Sequence, residues 1–280
     1  MIYIGLAGWG DHDDLYENVP AREKLSEYSS HFPIVEVDAS FYAIQPEKNA
    51  IKWCMETPKE FKFIIKAYQG MTKHKLDDLP YKSYREMFTA FKQSLVPYIE
   101  TNKLSFCLFQ FPPSFHCTSE NVHYLRWVKK EMENIPCAIE FRHGSWYKGE
   151  MKELTLRFLE EEGWIHTIVD EPQTLTGSIP TVLNTCKKEQ VFIRFHGRNI
   201  YGWNAYGQAN WRAVRYLYDY SKEELLEWVN HVLQLKKETK DIFIVFNNNS
   251  GGHASKNAKL FLNLLNIEYN QLNSSQMKLF

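Results

Sequence analysis

The chain has 280 residues, 44% of them hydrophobic and 15% aromatic, enough for one large domain or two small ones with a ring-rich core. Its 33 basic and 34 acidic side chains give a net charge of −1, which argues against nucleic acid or an anionic membrane as the partner. Five cysteines without a C-x-x-C pair, and an N-terminus without a signal-peptide pattern, predict a reduced cytoplasmic protein with neither a disulfide framework nor a zinc knuckle.

Eight short runs rich in Val, Ile, Phe and Tyr predict β-strands. In chain order they span residues 3–7, 34–38, 62–66, 104–110, 137–141, 165–170, 191–196 and 242–247. Most gaps between them carry apolar residues three and four apart, the pattern of an amphipathic helix. The predicted helices span residues 22–32, 47–57, 81–100, 118–134, 150–163, 221–238 and 253–265. Residues 171–190 lack this pattern and predict a loop.

The alternation of strands and helices predicts a parallel sheet, because parallel neighbours need a crossover connection. Eight such units in about 250 residues match a TIM-type (β/α)8 barrel in the α/β class. The rival is a doubly wound open sheet, but neither phosphate-loop signature of that fold occurs. The sequence therefore predicts one barrel domain over residues 1–265, irregular around the sixth helix, followed by a polar tail over 266–280.

Polar side chains end most of the predicted strands. In "AIEFRH" (138–143), Ala138, Glu140 and Arg142 share one face of the strand, because side chains alternate. The large apolar residues of the other face suit the helices, so this first set is predicted to point into the barrel. Corresponding positions on other strands hold a set of ionisable and amide side chains. We expect them at the same end of the barrel, the mouth formed by the C-terminal ends of the strands. They are Glu36, Asp38, Lys66, Gln110, Asp170, Arg194, His196, Asn247 and Asn249.

Several of these segments together resemble the YecE-like family, catalogued as domain of unknown function 72. The segments are "GLAGWG" (5–10), "VEVDASFY" (35–42), "TPKEFKFIIKAYQGMTKHK" (57–75), "LFQFPPSF" (108–115), "AIEFRHGSW" (138–146), "IRFHGRN" (193–199) and "VFNNNSGGHASKNAKLF" (245–261). The resemblance implies a TIM-type barrel and supplies no reaction. One departure is Lys73, which separates Thr72 from His74 and leaves the role of His74 open.

The mouth residues divide by chemistry into proton-transfer and binding candidates. The proton-transfer candidates are Glu140, Asp38, Glu36, Lys66, Asp170 and His196. The candidates for holding an anion are the guanidinium groups of Arg142, Arg194 and Arg198, with Gln110, Asn247 and Asn249 as amide partners. The candidates for a stacking wall are Trp9, Tyr42 and Trp146. His143 has the wrong parity to point inward, and plain ion pairs that plug the barrel are the structural alternative for the whole set.

A divalent metal is not favoured, although Glu36, Asp38, Glu140, Asp170 and His196 offer the ligands, because four cationic side chains compete for the carboxylates. The sequence leaves the identity of any cofactor open. The leading hypothesis is an enzyme for a small polar or anionic metabolite, a sugar phosphate or hydroxy acid, that uses acid–base chemistry. The alternatives are a glycoside hydrolase, with Glu36 facing Glu140, and a non-catalytic ligand-binding protein. The aromatic residues of the 200–211 loop fit either a lid or a partner surface. They are Tyr201, Trp203, Tyr206 and Trp211.

Overall fold

Eight parallel strands pair in chain order and close into a barrel. They are β1 (Ile2–Ala7), β2 (Ile34–Val37), β3 (Lys62–Lys66), β4 (Leu104–Gln110), β5 (Cys137–Glu140), β6 (Ile165–Asp170), β7 (Gln190–Phe195) and β8 (Asp241–Phe246). The computed structural model describes residues 1–174, 177–186, 188–204 and 211–274, without the side chains of residues 212 and 213. The predicted α/β barrel is confirmed, and each predicted strand agrees with the structure to within one residue at either end.

Helices surround the barrel. They are α1 (Lys24–Tyr28), α2 (Ala39–Tyr42), α3 (Glu47–Met55), α4 (Tyr84–Glu100), α5 (Ser119–Met132), α6 (Met151–Glu162), α7 (Ile200–Asn204), α8 (Trp211–Arg215), α9 (Lys222–Leu235) and α10 (His253–Leu265). Local chemistry sets their ends: Ser221 and Glu224 form a capping box before α9, and Gly163 ends α6 at a φ of 75°. Within the described ranges, no helix combines the length and apolarity that a membrane crossing requires.

The connection from β6 to β7 departs from the regular pattern. Its described residues contain no helix, which confirms the predicted irregularity around the sixth unit. The following connection, from β7 to β8, holds the short helices α7 and α8 before α9. The two short helices bring additional side chains to the C-terminal ends of the strands, where active sites lie in this architecture.

Alternation along the strands separates an inner core from an outer one. The inner cluster is centred on aromatic contacts, with the ring centroids of Phe106 and Phe192 5.1 Å apart and those of Phe106 and Phe243 5.2 Å apart. Small and aliphatic residues complete it. They are Ala7, Ile34, Ile64, Leu108, Ala138, Ile165 and Val245. This apolar plug fills the barrel below the polar strand ends, so the barrel is a packed core and not a channel.

A tyrosine hydroxyl joins β1 to β2 where the two strands approach closely. A Cβ atom at Gly5 would lie 2.2 Å from the carbonyl oxygen of Ile34, so only glycine fits there. The Tyr28 hydroxyl donates to that carbonyl oxygen and accepts from the backbone N–H of Leu6, both at 2.8 Å. One buried side chain therefore pairs backbone groups of both strands.

Residues beyond α10 are tied to the N-terminal side of the chain. The Tyr269 hydroxyl accepts from the backbone N–H of Ile4 at 2.9 Å and donates to the carbonyl oxygen of Ile2. The backbone N–H of Asn273 donates to the carbonyl oxygen of Ser29 at 3.0 Å. The described part of the 266–280 segment thus contacts the barrel, and residues 275–280 lie outside the described residues.

Candidate functional site

A fully buried arginine links three strands across the mouth. Arg194, on β7, donates through Nε and Nη2 to Glu36 of β2 at 2.9 and 2.6 Å, and through Nη1 to Glu140 of β5 at 2.7 Å. All three side chains have no exposed surface. Buried charges are tolerated when they are paired and hydrogen-bonded, and the two-pronged contact with Glu36 suits the guanidinium fork.

Glu140 accepts hydrogen bonds from four side chains. Its Oε1 atom receives Gln110 at 2.6 Å, Arg142 at 2.9 Å and His196 at 3.1 Å, and its Oε2 atom receives Arg194. Burial alone raises the pKa of Glu140, but Arg194, His196 and Arg142 outweigh burial and hold it well below the ordinary value. Glu140 is therefore an ionised carboxylate whose oxygens are engaged, which suits a positioning residue better than a general acid.

His196 is also buried, and both of its ring nitrogens have partners. Nε2 lies 3.1 Å from Glu140 Oε1, and Nδ1 lies 3.0 Å from the amide nitrogen of Asn247. Burial lowers the pKa of His196 to about 3, and the positive charge of Arg194 acts in the same direction. A neutral ring that accepts from Asn247 and donates from Nε2 satisfies both contacts. His196 thus supports Glu140 from below the surface of the mouth.

The buried, mutually hydrogen-bonded side chains of Glu36, Glu140, Arg142, Arg194 and His196 form a charged network. Lys66 and Asp38 form an ion pair at its solvent side. Lys66 Nζ donates to Asp38 Oδ1 at 2.8 Å, and their side chains are 13% and 33% exposed. Burial by itself lowers the pKa of Lys66, but Asp38 and Glu36 outweigh it and raise the pKa above its ordinary value. Burial likewise raises the pKa of Asp38, whereas Lys66 and Arg194 reverse the shift and lower it. The pair is therefore charged and partly open to solvent.

Glu171 is a site residue that the sequence reasoning missed. It lies one residue beyond β6, where its Oε1 atom accepts from the backbone N–H of Ile179 at 2.8 Å and its Oε2 atom lies 3.0 Å from Arg142 Nη1. Burial raises its pKa to about 7, although Arg142 opposes the shift. Glu171 lies an even number of residues after Ile165, which points into the barrel. Because side chains alternate along a strand, Glu171 is expected to point inward too, one residue beyond the end of β6.

Three side chains from the β7–β8 connection lie next to Arg142 and His196. The ring of Trp203 is buried, with the Cζ atoms of Arg142 and Arg215 at 4.8 and 3.8 Å from its centroid. The Tyr216 ring lies 6.1 Å from that of His196. Of the aromatic residues predicted in the 200–211 loop, Trp203 faces the mouth, Tyr201 is 89% exposed, and Tyr206 lies outside the described residues.

His74 reaches the mouth despite the inserted lysine. Lys73 adopts a left-handed conformation with φ of 59°, and His74 Nδ1 lies 2.9 Å from the Thr72 hydroxyl. The ring of Phe41 stands between His74, at 4.9 Å and edge-on, and the Lys66 ammonium, at 5.0 Å. Burial lowers the pKa of His74, and Lys66 and Arg142 lower it further. Tyr42, the predicted wall, is 60% exposed, and the neighbouring Phe41 takes the contact with Lys66.

The structure does not bring Asp170 or Arg198 into the network. Asp170 accepts from Arg198 Nε and Nη2 at 2.9 and 2.6 Å, and also from the Trp228 indole of α9, outside the barrel wall. The reason is parity: Asp170 shares the face of Ile168, which belongs to the outer core. The expectation that Asp170 points into the mouth is therefore wrong, and Arg198 follows it outward.

Trp146 and His143 also lie away from the mouth. The Trp146 ring stacks on Phe141 at 3.9 Å, its indole N–H donates to the carbonyl oxygen of Phe115, and only 1% of it is exposed. Trp146 is thus a core residue and does not form the predicted stacking wall. His143 stacks on His116 at 3.8 Å, in agreement with its outward parity.

The remaining predicted binding residues have structural contacts. Trp9 packs edge-on against Trp53 at 5.0 Å and has no described contact with the charged network. Asn249 donates from its amide to the carbonyl oxygen of Ala7 at 2.8 Å and so ties the end of β8 to β1. Gln110 and Asn247 do join the network, through Glu140 and His196.

The carboxylates of the network do not form a metal site. In the described ranges, no group of three or more His, Cys, Asp or Glu side chains is arranged to hold a metal ion. Each candidate carboxylate instead faces a cation: Glu36 and Glu140 face Arg194, Asp38 faces Lys66, and Asp170 faces Arg198. Ion pairing therefore occupies the oxygen atoms that a metal would need.

Two cavities lie away from Arg194 and from the Lys66–Asp38 pair. One of about 490 Å3 is at the N-terminal end of the barrel, beside Tyr3, Lys62 and Tyr269. Another of about 530 Å3 lies outside β6, beside Asp170 and Arg198, and Glu171 also lines it. Volume alone does not identify a reaction site, whereas converging ionisable groups with shifted pKa values do favour one. We therefore place the candidate site at the mouth.

The closed parallel barrel and the polar side chains at its strand ends define a TIM-type (β/α)8 barrel protein. The model of the family described as "Protein of unknown function DUF72" matches residues 3–279, and the chain belongs to this family. The resemblance to YecE-like proteins is thus confirmed.

Individual relatives cover most of the chain. The chain is 55% identical over 282 residues to the UPF0759 protein YunF of Bacillus subtilis (strain 168), covering 100% of both proteins. It is 27% identical over 178 residues to the UPF0759 protein YecE of Escherichia coli (strain K12), covering 61% of this chain and 59% of that protein.

Solved structures of the same family match the fold. The DUF72 family protein EF0366 of Enterococcus faecalis V583 superposes with a TM-score of 0.93 at 38% identity, covering 99% of this chain and 100% of that one. The DUF72 family protein TM1631 of Thermotoga maritima MSB8 gives a TM-score of 0.81 at 30% identity, covering 95% and 100%. These likenesses support the barrel over nearly its full length.

Proposed function

We propose that this protein is an enzyme that carries out acid–base chemistry on a small anionic metabolite, such as a sugar phosphate or a hydroxy acid, at the C-terminal mouth of the barrel. The observation that carries the proposal is the Lys66–Asp38 pair, with side chains 13% and 33% exposed beside a network whose central charges are fully buried. A charged pair that solvent reaches is one that a substrate can also reach.

The two members of the pair suit opposite directions of proton transfer. The raised pKa of Lys66 keeps its ammonium protonated, so it donates a hydrogen bond or a proton to a substrate oxygen that gains negative charge. The lowered pKa of Asp38 keeps it ionised, so its carboxylate accepts a proton from the substrate. A protonated lysine is a poor nucleophile, which disfavours Schiff-base chemistry at Lys66.

The buried network acts by positioning. Arg194 is held at three hydrogen-bonding atoms by Glu36 and Glu140, and Glu140 in turn orients Arg142. Polar groups locked in this way do not reorganise when charge develops on a substrate, which is how enzymes stabilise transition states. We assign Glu36, Glu140 and His196 to this supporting role and keep proton transfer for Lys66 and Asp38.

The protonation of the mouth favours an anionic substrate. Burial raises the pKa values of both Glu36 and Glu171 to about 7. At and below neutral pH these two carboxyls therefore carry less negative charge, while the neighbouring lysine and arginines remain positive. The resulting excess of positive charge attracts anions.

The glycoside hydrolase hypothesis receives less support. That chemistry needs two carboxyl groups on either side of a bond, one of them able to donate a proton. Burial raises the pKa of Glu36 to about 7, as an acid requires, but Glu36 and Glu140 both bind Arg194 and are fully buried. The two residues are therefore tied to a guanidinium instead of facing an open cleft.

A panel of purified sugar phosphates and hydroxy acids tests the proposal. Compounds that raise the melting temperature of the protein are incubated with the wild type, and conversion is followed by NMR. We expect at least one of them to be converted, with Lys66→Met and Asp38→Asn each lowering kcat about 100-fold or more, because proton transfer contributes about 10²–10⁴-fold to rates.

Lys92→Met is the matched control, since Lys92 also pairs with a carboxylate, Glu133, but at the surface. It is expected to keep full activity. Conversion that survives both Lys66→Met and Asp38→Asn, or binding without conversion of any compound, contradicts the proposed function.

A further inference from the structure

Arg215 differs from the arginines predicted to hold an anion. Of these, Arg142 and Arg194 lie at the mouth and Arg198 lies outside it. Arg142, Arg194 and Arg198 each contact at least two carboxylates. In the described part of the chain, Arg215 forms no ion pair, and its Nε atom is shielded from solvent without a hydrogen-bond partner. Arg215 is half-buried as a whole, but a buried N–H donor without an acceptor costs free energy, so the Nε atom indicates an absent partner.

The position of Arg215 adds to this cost. Its Cζ atom lies 3.8 Å from the centroid of Trp203, and the guanidinium of Arg142 lies over the same ring at 4.8 Å. Burial lowers the pKa of Arg215, and the positive charge of Arg142 lowers it further. Stacking on an indole offsets part of the desolvation of a guanidinium, but it supplies no negative charge.

The carboxyl groups whose charge acts on Arg215, Glu171 and Glu140, are engaged by other partners. Glu171 pairs with Arg142 through Oε2, while its Oε1 atom is engaged by the backbone N–H of Ile179. The raised pKa of Glu171, a consequence of burial, further reduces its negative charge near neutral pH. Arg142 thus already binds Glu140 and Glu171, and neither carboxylate forms an ion pair with Arg215.

We propose that Arg142 and Arg215, held in place by Trp203, bind the anionic group of the substrate, a carboxylate or a phosphate. The inference rests on the proposed function and deepens it by assigning the anionic end of the substrate to one pair of residues. Each guanidinium presents a planar fork of N–H donors that matches carboxylate and phosphate oxygens. An anion bound there supplies the counter-charge that Arg215 lacks, and it leaves Lys66 and Asp38 for the reacting end.

The test measures anion binding at equilibrium, with no turnover. Inorganic phosphate and acetate are titrated separately into the full-length protein at constant ionic strength, by calorimetry and by the shift in melting temperature. At least one of the two is expected to bind the wild type. Arg215→Met, which keeps an apolar stem, is expected to weaken that binding about tenfold to hundredfold, the effect of losing charge-assisted hydrogen bonds. Arg215→Lys, which keeps the charge without the fork, is expected to lie between the two.

A stability measurement separates binding from a structural role. Without added anion, Arg215→Met is expected to melt no lower than the wild type, because it removes an uncompensated charge. A merely structural arginine predicts the reverse, a lower melting temperature with unchanged anion affinity. Arg126→Met, which removes a 51% exposed arginine paired with Glu162, is the matched control and is expected to bind as the wild type does.

The outcomes distinguish the inference from the proposed function. Phosphate binding alone assigns a phosphate ester, acetate binding alone assigns a carboxylate, and binding of both supports the shared chemistry. Unchanged affinity in Arg215→Met, or a wild type that binds neither anion, overturns the inference. Lys66→Met is expected to keep anion binding while it loses turnover. Wild-type protein that binds the anion but converts no compound contradicts the proposed function and leaves the anion site standing.

Discussion

At the scale of single residues, the mouth contains carboxyl groups in opposite electrostatic situations. Glu140 is surrounded by donors and its pKa is held well below the ordinary range by Arg194, His196 and Arg142, which outweigh burial. Glu171 has one cationic partner, and burial raises its pKa to about 7. A glutamate side chain is thus ionised at position 140, whereas at position 171 it binds and releases a proton near neutral pH.

This difference makes the stability of the protein depend on pH through Glu171. Its pKa rises from 4.5 to about 7 on folding, so between these values the folded chain holds a proton that the unfolded chain releases. The free energy of unfolding therefore falls as pH rises through this window. Glu171→Gln removes that contribution, and we expect its stability to depend less steeply on pH between about 5 and 8 in urea unfolding.

The control for this prediction is Glu120→Gln, since the Glu120 side chain is 86% exposed. It is expected to follow the wild-type curve. Some slope persists in Glu171→Gln because burial also raises the pKa of Glu36 to about 7. A Glu171→Gln curve as steep as that of the wild type contradicts the assignment.

At the scale of elements, the Arg194 network joins strands that are not neighbours in the sheet. Glu36, Glu140 and Arg194 come from β2, β5 and β7, so their ion pairs cross the barrel above its apolar plug. Arg194→Gln leaves both carboxylates buried without their common partner. We expect a loss of about 3–5 kcal/mol in the free energy of unfolding, measured in urea.

The matched control is Arg126→Gln, whose surface pair with Glu162 is expected to contribute no more than about 1 kcal/mol. Equal stabilities of the two variants would mean that Arg194 does not hold the strands together. A loss in Arg194→Gln that disappears when Glu36→Gln is added supports the buried pair as its origin.

Elements were predictable from sequence where their local signals agreed. The strand periodicity located all eight strands, and the capping residues located the start of α9 and the end of α6, because these features depend on neighbours in the chain. The β6–β7 connection could be predicted only as irregular. The short helices α7 and α8 carry no long periodic pattern, so their place over the mouth depends on tertiary contacts such as Trp203 with Arg142.

The candidate site was predictable in part for the same reason. Parity along the strands placed Glu36, Lys66, Glu140 and Arg194 together correctly. The prediction for Asp170 is wrong, because Asp170 shares the outward parity of Ile168 and a polar residue at a strand end does not by itself point into the mouth. Arg215 carries no sequence signal, because its proximity to Arg142 arises only when residues distant in the chain fold onto one ring.

At the scale of the whole molecule, the interior of the barrel consists of three layers along its axis. Phe106, Phe192 and Phe243 pack the lower interior, a buried ion-pair layer lies above them, and the Lys66–Asp38 pair lies at the solvent side. The lower layers fix the positions of the upper charges, to which the proposed function assigns the chemistry. In enzymes with this fold, a rigid scaffold likewise supports a reactive C-terminal end.

The most direct test of this account is an exchange experiment on a mixture of small cellular metabolites in D2O, followed by mass spectrometry. Wild-type protein and Lys66→Met are incubated with the same mixture. The account predicts that the wild type converts an anionic metabolite or introduces deuterium into it, and that Lys66→Met does not. Identical changes with both proteins, changes confined to uncharged compounds, or no change with the wild type would contradict it.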